Sequence, residues 1–243
     1  MKILQTITWL GFCLSLFVFS LGVSWKINST INFAYPLWYQ TLAIDEHIEK
    51  FAPENKYNKQ DFVLVNAEQV SSLFNQILTA INHQGSNLST ISYAIKKDSN
   101  KLLLTQDEVI HLQDVSHLID ALFIMWLISL LILIVLSYCM VKKWTVPERS
   151  SIYKTLLLLV VTVSILFAFV GFKNIFYYLH TVIFPDNHPW FFYYQDSLMS
   201  TMMKAPDLFA ALGLQILLFG CSVSYFYYRL LKRYRLKIQS IIK

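Results

Sequence analysis

The sequence predicts an all-α membrane protein with four transmembrane helices and a mostly helical extracytoplasmic cap. Three observations predict it. The 243 residues are 56% hydrophobic and only 14% charged, too apolar for an ordinary soluble domain. Four runs, residues 3–25, 118–141, 155–172 and 208–228, are each about long enough to cross roughly 30 Å of hydrocarbon as a helix. Finally, basic residues collect in one connection between those runs and in the tail after the last.

The first run follows Lys2 and resembles a secretory signal at its start. It is longer than the usual h-region of about 7–15 residues and ends on Trp25 and Lys26, where a small-residue cleavage site would stand. Residues 1–25 are therefore read as a retained helix. The second run, 118–141, carries one acid at its entrance, Asp120, either paired with a neighbouring group or facing a bundle interior. The loop at 142–154 holds Lys142, Lys143, Arg149 and Lys154 against Glu148. The third run is 155–172. After the fourth, 208–228, the tail 229–243 holds Arg229, Lys232, Arg233, Arg235, Lys237 and Lys243 and no acid. The positive-inside rule puts this loop and both termini in the cytoplasm and the connections 26–117 and 173–207 outside. The net charge of +5 is then explained by membrane topology, and no nucleic-acid partner is needed.

Cys13, Cys139 and Cys221 all lie in or at the ends of apolar runs, so a disulfide framework is unsupported. In the large outer connection, apolar residues at Val70, Leu73, Phe74, Ile77, Leu78 and Ile81 predict a helix over about 66–82, and a second helical piece is expected near 88–95. Gly, Asn and Ser residues between them mark a turn. Asp45, Glu46 and Glu49 read as a solvated helix face. Tyr35, Trp38 and Tyr39 suit a headgroup-level belt.

Thr105-Gln-Asp-Glu108 fits a capping box, and no proline or glycine follows before Pro147. One helix should therefore start outside near Gln106 and run on through the second span. Along it Asp107, His111, Asp114 and Leu118 share a face, and Glu108 neighbours His111. At about 1.5 Å per residue, His111 should stand roughly 10 Å above the apolar run. The third run continues as FKNIFYYLH, which would raise His180 to roughly 13 Å above its own span. Two imidazoles from different helices thus reach similar heights. Pro185 and Pro189 break this helix, Trp190 and its aromatic neighbours can return to the interface, and His188 belongs to a turn.

The segment His111-Leu-Gln-Asp-Val115, together with Leu179-His180 and Phe184, then Trp190, Asp196-Ser-Leu198 and Pro206 to Phe209, resembles the paired signatures of the lipoprotein intramolecular transacylase (Lit-type) family of four-span membrane proteins. Ile183, where an aromatic is usual, and His188 depart from the pattern. The resemblance implies an enzyme that moves the sn-2 acyl chain of a lipoprotein's diacylglyceryl-cysteine onto the cysteine's own α-amino group. It implies His111 and His180 as the functional pair, a lipoprotein partner in a bed of membrane lipids, and no cofactor.

Chemistry agrees with two imidazoles. An α-amine with a reference pKa near 8 needs a proton acceptor, and the ester carbonyl needs a donor aimed at its developing oxyanion. His180 is expected as the base and His111 as the donor or acid, an order that could be reversed. Asp114 or Asp107 would orient His111, and Asp186 and Asp196 would position the outer loop. Two other readings compete: a zinc hydrolase centre built on His111, His180, His188 and an aspartate, for which no tight ligand pair such as H-E-x-x-H is present, and a non-enzymatic assembly partner or sensor.

Overall fold

The computed structural model describes residues 2–95, 100–142, 158, 161–162 and 169–242. The helices are α1 (Lys2–Thr30), α2 (Tyr35–Thr41), α3 (Ile44–Phe51), α4 (Ala67–Ile81), α5 (Gln106–Lys142), α6 (Phe172–Ile183), α7 (Leu198–Met203) and α8 (Asp207–Ile242). A two-stranded antiparallel hairpin, β1 (Ser92–Ala94) and β2 (Asn100–Leu102), pairs Tyr93 with Lys101. Among the described residues, three helices are long and apolar enough to cross a membrane, over Gln5–Thr30, Gln106–Val141 and Asp207–Lys237. The protein is a helical membrane protein. The expected third span at 155–172 and the loop at 142–154 lie largely outside the described residues.

The chain forms two compact units. One comprises residues 1–27, 123–172 and 215–243. In it, Phe12 and Leu16 of α1 pack on Leu133 and Met140 of α5, with Tyr227, Tyr228 and Leu231 of α8 against them. Apolar burial gives no net drive to helix association in lipid, so close packing and polar contacts carry it. Gly22 lets the Trp126 indole lie where a Cβ would sit 2.1 Å from it, and that indole donates to the Phe19 carbonyl at 3.0 Å. Ser224 donates to Ser20 at 2.8 Å, Ser24 donates to the Ile216 carbonyl at 2.9 Å, and Ser137 and Tyr227 share a hydrogen bond of 2.8 Å. Meanwhile Ile124, Met125, Ile128 and Leu131 of α5 are exposed, as suits a surface whose solvent is hydrocarbon.

The second unit comprises residues 28–122 and 173–214. Its core is organised around α4, whose buried face is Val70, Leu73, Phe74, Ile77, Leu78, Ala80 and Ile81. Asn66 caps this helix by accepting from the Gln69 N–H at 2.8 Å. Tyr35 at the start of α2 is fully buried. It stacks on Phe74 with ring centroids 4.4 Å apart and donates to the Met202 carbonyl at 2.6 Å. On α3, Asp45, Glu46 and Glu49 are exposed, as expected for a solvated face.

The expected helical piece near 88–95 is corrected by the structure. A short 3-10 turn (Leu88–Thr90) leads into β1 instead. The reason is local: Tyr93 is buried between a half-buried Ser92 and an exposed Ala94, an alternation of period two. The Tyr93 hydroxyl reaches Asp61 at 2.9 Å, and Lys101 on the paired strand bridges the same carboxylate at 2.7 Å.

Candidate functional site

Everything in the site belongs to the second unit. It begins with the start of α5. Thr105 and Glu108 form the reciprocal capping box: the Thr105 N–H donates to Glu108 Oε2 at 2.6 Å, and the Glu108 N–H donates to Thr105 Oγ1 at 3.3 Å. With its first turn fixed, α5 presents His111 one turn later. The apolar run starts only at Leu118, so His111 stands on the polar extension of the helix.

His111 is 8% exposed, and its Nδ1 is buried with no hydrogen-bond partner among the described residues. Its ring lies 6.0 Å from that of His180 on α6, at an interplanar angle of 32°. Phe184 fills the notch between them, 4.9 Å from His111 and 5.2 Å from His180. Phe192 lies 5.9 Å from His111 and Trp190 lies 5.2 Å from His180. Phe176, one turn earlier on α6, stacks under His180 at 4.1 Å and itself rests on Phe209 at 5.6 Å.

His180 Nδ1 is 2.7 Å from the Phe176 carbonyl. A carbonyl only accepts, so Nδ1 carries the proton and the lone pair of the neutral ring is on Nε2. The aromatic surroundings disfavour a charged imidazole at both positions. Burial, reinforced by His180 and partly opposed by Asp114, pushes the His111 pKa down to about 4. Burial also lowers that of His180 below its ordinary value, with the bond to Phe176 acting the other way.

The acids fall into different places. Asp114 binds His188 Nδ1 at 2.6 Å and makes no bond to the unpartnered Nδ1 of His111. Asp107 is exposed in the first turn of α5, where a negative charge suits the helix dipole. Asp186 is exposed in the turn after α6. Asp196 bridges Lys56 at 2.8 Å, and the backbone follows suit, with the Lys56 N–H donating to the Gln195 carbonyl at 2.9 Å.

Sequence reasoning read Glu108 only as a cap. The structure buries it completely and gives its Oε1 two further donors, Ser197 Oγ at 2.5 Å and the Met199 N–H at 3.3 Å. Burial pushes its carboxyl above the ordinary range, against the pull of Ser197 and Thr105. A second capping signal, Ser197 before α7, stood in the sequence, but nothing in the spacing linked the two. Among the described residues, no group of three His, Cys, Asp or Glu side chains is placed to hold a metal ion.

An imidazole pair on two helices, lined by aromatics, stands in a helical integral membrane protein. Its membership can be stated more closely. The family model of the lipoprotein intramolecular transacylase Lit matches residues 8–205, and the chain belongs to that family of enzymes. A search of curated proteins gives no match. Among solved structures, the membrane-integral lipoprotein intramolecular transacylase Lit from Bacillus cereus is similar in fold. It has a TM-score of 0.65 at 14% identity, over 99% of this chain and 100% of that one. A variant of the same protein with a histidine-to-arginine substitution also matches at 0.65 and 14%, over 100% of this chain and 96% of that one.

Proposed function

We propose that this chain transfers the sn-2 acyl chain of a lipoprotein's diacylglyceryl-cysteine to the cysteine's own α-amino group, leaving a lyso-form lipoprotein. The observation that carries the reading is the His111–His180 pair, 6.0 Å apart and borne on separate helices. That spacing lets both rings reach one reacting carbonyl placed beside the pair.

His180 Nε2 takes the proton from the attacking amine as its nitrogen bonds to the ester carbonyl carbon. The negative charge moves to the carbonyl oxygen, where the neutral His111 imidazole donates a hydrogen bond. As the intermediate collapses, the carbon–oxygen bond to the glyceryl sn-2 position breaks. The alkoxide receives the proton, and an amide and a free hydroxyl remain. Nucleophile and ester belong to one molecule, so the protein's share is to fold them together, which by itself supplies several kcal/mol. Trp190, Phe184 and Phe192 supply apolar walls for the acyl chain. Asp107 and Asp186 are given no direct contact with the reacting atoms, while Asp196 holds the outer loop through Lys56.

Four spans, cytoplasmic termini and a site at the outer headgroup level of the cell membrane complete the proposal. The basic residues at both inner segments support it. The domain bounds proposed are those expected above, with residues 26–117 and 173–207 outside. The partners are a diacylglyceryl lipoprotein and membrane lipid.

Mass spectrometry of the N-terminal peptides of host lipoproteins, with and without this chain expressed, tests the reading. The expected result is one acyl chain on nitrogen and one on glycerol. An unchanged diacylglyceryl pattern would overturn it.

The pH profile makes a second test. Because both imidazole pKa values lie below the ordinary value near 6.5, the rings are neutral at pH 7 and protonate only as the pH falls through those lowered values. Above pH 6.5 the kcat profile on a synthetic diacylglyceryl lipopeptide should therefore show only the titration of the substrate amine, with the imidazoles adding an acid limb below that pH. An enzyme-derived limb, distinct from the amine's, at or above 6.5 would contradict a desolvated base.

A further inference from the structure

We propose that Glu108 and His188 are positioning residues: two carboxylates of α5 that flank His111 clamp the segment 188–199 at both its ends, and so hold Trp190 and Phe192 against the imidazole pair. The inference rests on the reading of that pair as catalytic, and adds what keeps its surroundings in place.

Glu108 precedes His111 by one helical turn and Asp114 follows it by one, so all three project from the same side of α5. The two acids are separated by about 9 Å along the helix axis. At one end, Asp114 holds His188 Nδ1 at 2.6 Å. At the other, Glu108 Oε1 takes both the Ser197 hydroxyl and the Met199 N–H. The chain between His188 and Ser197 could extend to about 30 Å if unrestrained. Clamped to two points so much closer together, it must arch, and its apolar members Trp190 and Phe192 are the ones that meet His180 and His111.

The two ends differ in kind. Glu108 is fully buried, and its partner Ser197 in turn caps α7 by accepting from the Ser200 N–H at 2.8 Å. The outer clasp is more open, with the His188 side chain 36% exposed and that of Asp114 14%. His188 is tied locally as well, since its N–H donates to the Pro185 carbonyl at 3.0 Å, closing the turn just after Phe184. That backbone bond survives loss of the imidazole, which removes only the Asp114 anchor holding the turn after Phe184 to α5. A misplacement of about 1 Å in such a wall can cost up to 10²-fold in rate.

The test uses the full chain purified in detergent with a synthetic diacylglyceryl lipopeptide, reading kcat and KM by mass spectrometry. His188→Ala and Asp114→Asn should each lower kcat by roughly 5- to 20-fold, with KM changed far less. The double variant should be no worse than the weaker single one, because both remove one interaction. His188→Arg keeps an N–H donor against Asp114 and should recover most of the lost rate. Glu108→Ala removes the acceptor of both Ser197 and Met199 and should lower kcat independently, so that its effect multiplies with that of His188→Ala. Ser197→Ala should reproduce it if the alanine variant at 108 does not fold. Wild-type kinetics in His188→Ala would overturn the clamp. So would a His188→Arg variant as slow as His188→Ala, which would mean that the imidazole itself is used. His180→Gln is run alongside: if wild type does not convert the peptide, or His180→Gln still does, the transacylase reading fails, whatever the clamp variants do.

Discussion

Replacing His180 by glutamine should reduce conversion of the lipopeptide by about 10²- to 10⁴-fold while leaving a folded protein. Glutamine keeps a polar atom near the position of the imidazole but cannot accept a proton from the amine. The amine must then lose its proton to water, at a site where Phe176, Phe184 and Trp190 crowd water out. His111→Gln should be milder, by about 10- to 100-fold, because its carboxamide still offers an N–H to the oxyanion and forfeits only the imidazole's geometry and acidity. The contrast between the variants assigns the roles. Equal losses in kcat would mean that both rings move protons, and a reversed order would make His111 the base. The ring contacts of His180 involve a side chain that is only half-buried, so the thermal midpoint of His180→Gln should fall by little. That separates lost chemistry from lost fold.

How far this site was legible in the sequence depends on whether its signals were local. The start of α5 was legible because a capping box is four consecutive residues, and the run that follows lacks any helix breaker. That His111 lies on α5 and His180 on α6 followed from the helical continuity of each run. The closeness of the two rings did not, since it is a contact between α5 and α6, with Phe184, one turn after His180, set against both rings. Asp114 shows the limit well. Its spacing from His111 on one helix face suggested a hydrogen bond, yet neighbours on a face compete with whatever a distant segment brings. His188, 74 residues away in sequence, won that carboxylate. Glu108 has the same history: its capping role was visible, whereas its bonds to Ser197 and Met199 arise from chain more than 80 residues further on. The strand at β1 was missed because three residues of alternation are too short a signal to set against a neighbouring helical pattern.

The largest loss of stability is expected from Tyr35→Ala in the second unit. Tyr35 is the point where α2, α4 and α7 are joined: its ring stacks on Phe74 at 4.4 Å, and its hydroxyl donates to Met202 at 2.6 Å, with no exposure to solvent. Removing a fully buried aromatic ring costs about 3–5 kcal/mol, from lost transfer free energy and the cavity left behind. The Met202 carbonyl would in addition lose its side-chain donor. Tyr35→Phe separates the two contributions, because it keeps the stack and deletes only the hydroxyl, for which about 1–3 kcal/mol is expected if the carbonyl stays buried and unpaired. Thermal unfolding in detergent should therefore rank wild type above Tyr35→Phe, and Tyr35→Phe well above Tyr35→Ala. Activity should follow the same order, because α7 lies directly after Ser197, the residue that binds Glu108. A Tyr35→Phe protein as unstable as Tyr35→Ala would mean that the hydrogen bond to Met202, rather than the ring, carries the junction.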